Sequence, residues 1–137
     1  MEVIERGVMD ILPSVTIEVL PDNRLSKNGL RRSNWRTSMK LIAEARETAF
    51  ILGLAEKPEK WETPSEARIA IVQRYARNPL DFDGLACIAA PSVDGLVDAG
   101  ILMDDDPAHV VEYTLNHIKV PKVADACVQI TVTPVSK

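Results

Sequence analysis

Aromatic residues are scarce, with Phe, Trp and Tyr together making 4% of the chain, so any core must be built mainly from aliphatic side chains. Cysteine is scarcer still. Cys87 and Cys127 stand far apart, with no C-x-x-C pair and no Cys/His cluster, which excludes the usual zinc spacings and a disulfide framework and predicts two free, buried thiols. No apolar run approaches the roughly 20 residues of a membrane span. Residues 1–10 carry Glu2, Glu5 and Asp10 and lack an apolar stretch of the secretory type, so a cytoplasmic protein is expected. No segment is low in complexity or repeated. What remains is 137 residues, 46% of them hydrophobic and 26% charged, which suits one globular domain over 1–137 with flexible ends at 1–13 and 134–137.

Basic and acidic residues are also missing locally. The net charge of −4 argues mildly against nucleic acid as a partner, yet the charges are segregated. From Arg24 to Lys40 there are six basic residues and no acid: Arg24, Lys27, Arg31, Arg32, Arg36 and Lys40. From Asp81 to Glu112 there are eight acids and no Lys or Arg. The first block suits phosphate contacts. The second suits divalent cations, which would reverse its effect on a phosphate.

The pattern predicts an α/β domain of order β-α-β-α-β-β, with a mixed sheet and helices packed on it. Ser14 to Leu20 alternates, with Val15, Ile17 and Val19 on one face. Ser33 or Asn34 can cap a helix over Trp35 to Leu52 whose apolar set is Met39, Ile42, Ala43, Ala45, Ala49 and Phe50, with Gly53 as its stop. Ala67 to Tyr75 reads as a strand through Ile69 and Ile71. Phe82 to Ala99 has helical spacing and ends at Gly100, with Pro91 marking either a kink or the start of the regular helix. Val110 to Val120 and Ala126 to Val132 read as strands, and the short link between them suggests an antiparallel hairpin.

The chemistry concentrates between Leu80 and Glu112. Asp81-Phe82-Asp83 places two carboxylates at i and i+2, which point to one side of an extended chain. Asp104-Asp105-Asp106 follows the same helix. Mg²⁺ takes hard oxygen ligands, and phosphodiester hydrolysis can use it to activate water and neutralise phosphate charge. Ordinary roles compete: Asp83 as an N-cap and Asp104 to Asp106 as a solvated turn. A calcium EF-hand fails, because counting from Asp81 the sixth and twelfth positions are Ala86 and Ser92. Asp94 lies eleven residues after Asp83, about 16 Å along a helix, so it is assigned a supporting role and Asp98 a solvated one.

This segment resembles the signature of the RusA family of Holliday-junction resolvases, common in phages and prophages. The family shows D-x-D-N-L, a lysine, D-x-L-x-x-x-G and then a D-D pair. Here the matching residues are Asp81-Phe82-Asp83-Gly84-Leu85, then Asp94-Gly95-Leu96 through Gly100, then Asp104-Asp105. The flanking VVEYTLNHIKV and VQITVTP strands and the SKNGLRRSNWR loop are similar to the family's too. The resemblance covers roughly Val15 to Pro134. It implies a homodimeric, Mg²⁺-dependent endodeoxyribonuclease (Mn²⁺ as a substitute) that resolves four-way DNA junctions in recombination and repair, in a bacterial or phage-infected cell. Asp81, Asp83 and Asp105 would be the catalytic metal ligands, with Asp104 beside them and Asp94 in support. Lys27, Arg31, Arg32, Arg36 and Lys40 would contact DNA. Two positions depart from the family: Gly84 replaces the asparagine, and Ala90 replaces the lysine expected four residues before Asp94. A positioned cation of that kind is commonly worth about 10²–10³ in rate. A catalytically weak or inactive homologue that binds branched DNA or a partner protein is the alternative, unless Lys40 or Arg36 supplies the charge. A third reading is a small structural or interaction domain whose aspartates are caps and turns.

Other residues carry simpler expectations. His109, just past the Asp cluster, reads as a loop histidine near any bound phosphate, and His117 as a residue of its strand's polar face. Trp35 and Trp61 read as packing anchors, and Cys87 as a buried small residue.

Overall fold

A computed structural model describes residues 13–25, 29 and 34–135. The predicted order holds: β1 (Val15–Val19), a 3-10 turn (Asn23–Leu25), α1 (Trp35–Glu56), β2 (Ala67–Tyr75), α2 (Phe82–Asp98), β3 (Val110–Lys119), a second 3-10 turn (Val123–Asp125) and β4 (Cys127–Pro134). The strands form one mixed sheet in the order β1-β4-β2-β3. β4 pairs antiparallel with both β1 and β2, whereas β2 and β3 run parallel. The lead-in at 1–12 and the end at 136–137 lie outside the described residues. Pro134 is the last residue of β4, paired with Ala67.

Alternation with period two makes one face of this sheet apolar. Val15, Ile17, Ile69, Ile71, Val128, Ile130 and Val132 are all 2% exposed or less. Ile71 lies beside Ile130 and Ile69 beside Val132, so branched side chains form continuous rows across the strands. Leu41 and Ala49 of α1 join Leu85, Ile88, Val93 and Leu96 of α2 in the same core cluster. The other face carries Thr16 and Thr131, whose hydroxyls are 2.9 Å apart, and Ala70 and Val72 at the centre.

Three expectations are corrected. β3 and β4 do not form a hairpin: β2 lies between them, and the link passes the end of β2, where the Val120 amide donates to the Tyr75 carbonyl (2.8 Å). The local spacing resembles a hairpin because β3 and β4 do run in opposite directions, but the apolar β2 gains a partner on both edges by sitting between them. Gly53 does not end α1, which continues to Glu56. A side chain at Gly53 would meet Leu96 at 3.0 Å and Ala99 at 3.2 Å, so this glycine serves packing. Met39 is 50% exposed and Ala43 also faces outward, while Leu41 takes the buried position. α2 runs from Phe82 through Pro91 to Asp98, the span its helical spacing predicts, so of the two readings of the proline a helix start there is ruled out.

The helix ends explain themselves. The Asn34 side chain accepts from the Thr37 amide (2.9 Å), an N-cap bond; Ser33 lies outside the described residues. Gly100 has φ of 75°, and the Gly100 and Ile101 amides donate to Val97 and Leu96 carbonyls (both 3.0 Å). This is a Schellman closure, which favours glycine at that position.

The two helices meet most closely at Gly95. A Cβ there would collide with the Arg46 carbonyl oxygen and stand 2.8 Å from Ala49 Cβ. Gly95→Ala gains helix propensity of about 1 kcal/mol but must push α1 away, and overpacking typically costs about 1–3 kcal/mol or more. The expected net result is a lower urea midpoint with an unchanged slope. An equal or higher midpoint would refute so close an approach.

Candidate functional site

α2 carries acids at both ends, and its length keeps them apart. Asp81 is the N-cap of α2: its Oδ1 accepts from the Gly84 amide at 2.6 Å. The capping role expected of Asp83 therefore belongs to Asp81, and Asp83 is an exposed acid of the first turn. Phe82, between them, is 59% exposed and sets its ring edge-on to His117 of β3, 5.1 Å between centroids. Tyr75 approaches the same imidazole at 6.4 Å. His117 thus faces the helices rather than the open side of the sheet, in register with buried Gln73. Its Nε2 is buried without a hydrogen-bond partner.

The second acidic group follows the C-terminal end of α2. Twelve residues of helix separate Phe82 from Asp94, about 18 Å at 1.5 Å per residue. Asp94 lies close enough to Asp105 for its charge to act on that carboxyl. Partial desolvation comes first, followed by a hydrogen bond with Asp104 and the Asp94 and Asp104 charges; together they push the Asp105 carboxyl above its ordinary value. Burial, and then Asp105, likewise push the Tyr113 hydroxyl of β3 up. The charges of Asp94 and Asp104 thus act on Asp105, and that of Asp105 on Tyr113. The Asp105 amide also donates to Asp104 Oδ1 (2.7 Å).

Asp106 turns to a different partner. His109 Nδ1 lies 2.7 Å from Asp106 Oδ1, and the His109 amide donates to the same oxygen (3.1 Å). That contact holds the Asp106 carboxyl below its ordinary value. Asp104, Asp106 and His109 are the one set of three acidic, histidine or cysteine residues among the described residues whose ligand atoms all lie within 4.8 Å. The expected trio of Asp81, Asp83 and Asp105 is thus not brought together within one chain. Sequence reasoning missed the Asp106–His109 pair, although its i, i+3 spacing was visible.

The remaining expectations divide. Asp98 is not simply solvated: Arg46 of α1 grips it with Nε and Nη2 at 2.6 and 2.8 Å, which holds the Asp98 carboxyl below its ordinary value and ties α1 to α2. Of the proposed DNA contacts, Arg36 and Lys40 lie exposed on α1, Lys40 at 4.0 Å from Glu44. Lys27, Arg31 and Arg32 lie outside the described residues. Trp35 is 74% exposed and so is no packing anchor, whereas Trp61 packs against the core. Cys87 is half-buried, its thiol donating to the Leu25 carbonyl (3.1 Å); both cysteines are free. Ala90 is exposed on α2.

No family model and no curated protein matches the chain. No helix among the described residues is long and apolar enough to cross a membrane.

Two predictions follow the two ends of α2. Asp81→Ala removes the cap and is expected to cost about 1 kcal/mol, while Asp81→Asn, itself a good cap, is expected to leave stability nearly unchanged; equal losses in urea melts would show that the cap is not the stabilising contact. At the other end, the Asp105 proton is bound more tightly in the folded chain. Its stabilising share is thus complete below the ordinary value of 3.8 and is lost as pH rises through the raised one. Asp105→Asn should raise the melting temperature at pH 7 in chelator and low salt, with the gain shrinking toward pH 4 and in high salt. A lower melting temperature at pH 7 would contradict the crowding of these carboxylates.

Proposed function

We propose that this chain is a RusA-like, Mg²⁺-dependent endodeoxyribonuclease that acts on four-way DNA junctions as a homodimer. The observation that carries the proposal is that Asp94, near the end of α2, acts together with Asp104 on Asp105 beyond its glycine-closed end, carboxylates that crowd one another within a stretch free of Lys and Arg. Such oxygens suit a hard divalent cation, and the donor set fits Mg²⁺ or Mn²⁺. Asp105, with Asp104 beside it, would hold the ion. When bound, it would supply Lewis acidity toward a phosphate oxygen and a lowered pKa for water.

The residues themselves do the rest. The charge of Asp94 acts on both Arg46 and Asp105, and so keeps the cluster negative while α1 anchors its helix through the Arg46–Asp98 grip. Asp81 and Asp83 lie one α2 length away. A site using all three family carboxylates would therefore take Asp105 from one chain and Asp81 and Asp83 from another, which favours the dimer and provides two sites for a two-fold junction. Arg36 and Lys40 offer phosphate contacts, and Trp35 adds an exposed ring for stacking. The binding-module alternative keeps its motive in Ala90, which leaves no cation on α2 where the family has one.

The deciding assay is cleavage of a labelled four-way junction beside its linear duplex, with Mg²⁺, Mn²⁺ or chelator. Asp83→Asn and Asp105→Asn are each expected to abolish metal-dependent cutting. An equimolar mixture of the two, allowed to exchange subunits, should recover about a quarter of wild-type activity, since half the dimers are mixed and each restores one of two sites. No recovery would refute a shared site. Junction binding without cutting in any metal would establish the binding module instead. In that case Ala90→Lys is the discriminating variant, expected to raise cutting by about 10²-fold if the missing cation limits the chemistry.

A further inference from the structure

The cleft at the finish of β2 differs in charge from its neighbours. β2 ends at Tyr75, and the chain turns through residues 76–81 into α2. Pro21, just past β1, and Val123 and Ala126, around the turn before β4, close on that segment and leave a cavity of about 390 Å³. Small-ligand sites usually measure roughly 300–1,000 Å³. The lining includes Arg74 and Arg77 but no Asp or Glu, whereas three other clefts each hold at least one carboxylate. Among the described residues neither arginine forms an ion pair, unlike Arg24 with Asp22 and Arg46 with Asp98. Asp81, next after Leu80, gives its Oδ1 to the Gly84 amide and does not line the cleft.

Gln73 is the second, independent feature. It is 5% exposed and lines the same cavity. Its Oε1 accepts from the Leu80 amide at 2.9 Å, which fixes the carboxamide and leaves Nε2 as its donor end. A buried amide donor costs free energy unless an acceptor meets it, and the cavity is where an acceptor can enter. Tyr75 adds a ring to this wall, and Pro79 and Leu80 make it apolar.

We infer that this cleft binds a nucleoside 5′-phosphate, with Arg74 and Arg77 on the phosphate and Gln73 Nε2 on an acceptor of the nucleoside. Guanidinium forks match phosphate oxygens, and a pair of them suits a dianion. The apolar wall and the Tyr75 ring suit a flat base. The phosphate can belong to a free nucleotide or to the 5′ end of a DNA strand, and the chemistry recognised is the same. None of the acids of the proposed metal centre takes part, so the site stands apart from the nuclease reading.

The test is isothermal titration of the full chain, in chelator, with deoxyadenosine 5′-monophosphate, deoxyadenosine and inorganic phosphate. The nucleotide should bind at least tenfold more tightly than either fragment. Arg77→Gln should weaken it at least tenfold with an unchanged circular dichroism spectrum. Arg68→Gln, an exposed change at the other end of β2, should leave it within twofold. No binding at 10 mM nucleotide overturns the inference, as does inorganic phosphate that binds equally well. An equal loss in Arg68→Gln also overturns it, since diffuse charge would then suffice. Nitrogen-15 spectra of the wild type are the second measurement. The Gln73 side-chain amide signals should move with nucleotide, and if they stay still while others shift, the cleft is refuted whether or not the variants fold. Competition with 5′-phosphorylated and unphosphorylated oligonucleotides assigns the source. Displacement by the phosphorylated strand alone supports a DNA end, and displacement by neither supports a free nucleotide. Equal displacement by both makes the contact one with the strand's backbone and counts against the inference. A chain that binds the nucleotide and cuts no junction sinks the nuclease and leaves this site standing.

Discussion

Where a side chain would project from Gly95, the backbone of α1 already stands. That contact sets the helix layer. It brings Arg46 over Asp98 for a two-point grip, leaves Asp94 one turn earlier facing the acidic loop, and lets Leu96 and Val93 reach the isoleucines of β2. The same closeness recurs at Gly53, where α1 admits Leu96 and Ala99. Two glycines in helix interiors cost propensity, about 1 kcal/mol each relative to alanine. They are retained at the places where backbone meets backbone or side chain.

From this anchoring follows the distribution of charge. α2 is the crossover between parallel strands, so its start lies over one end of the sheet and its finish over the other. At the start, Asp81 is occupied by the Gly84 amide, and Phe82 is braced on an imidazole whose second nitrogen has no partner. At the finish, carboxylates crowd one another while Asp106 satisfies itself with His109. Both ends are rich in acids, and the acids differ in how much of their bonding is already taken.

Period-two alternation located β1, β2 and β4 almost to the residue, because each has one face in the core. Asn34, Gly100 and the proline at the end of β4 also announced themselves, being backbone signals that act locally. The order of strands in the sheet was not legible: the link after β3 has the length of a wide hairpin, and only the apolar central strand, seen in three dimensions, shows why it steps across. Helix faces were harder. Met39 and Leu41 are both apolar, and which one turns inward depends on where the Gly95 contact fixes the rotation of α1. For the candidate site, the composition was legible and the assembly was not. D-F-D and D-D-D are conspicuous in the chain, but distance along a helix matters more than proximity in a motif, and the Arg46–Asp98 and Asp106–His109 pairs used acids that spacing alone left free.

The sheet also imposes an order in time. Thr16 and Thr131 share a hydrogen bond across 115 positions of chain, and β4 is the wedge between the first strand and the second. A nascent chain leaving the ribosome can form its helices early, since helical bonds are local. β1 and β2 have no edge to offer each other until β4 has emerged to separate and join them, although β2 can already pair with β3. High contact order of this kind slows folding, and it assigns the final strand, VQITV, the closing step.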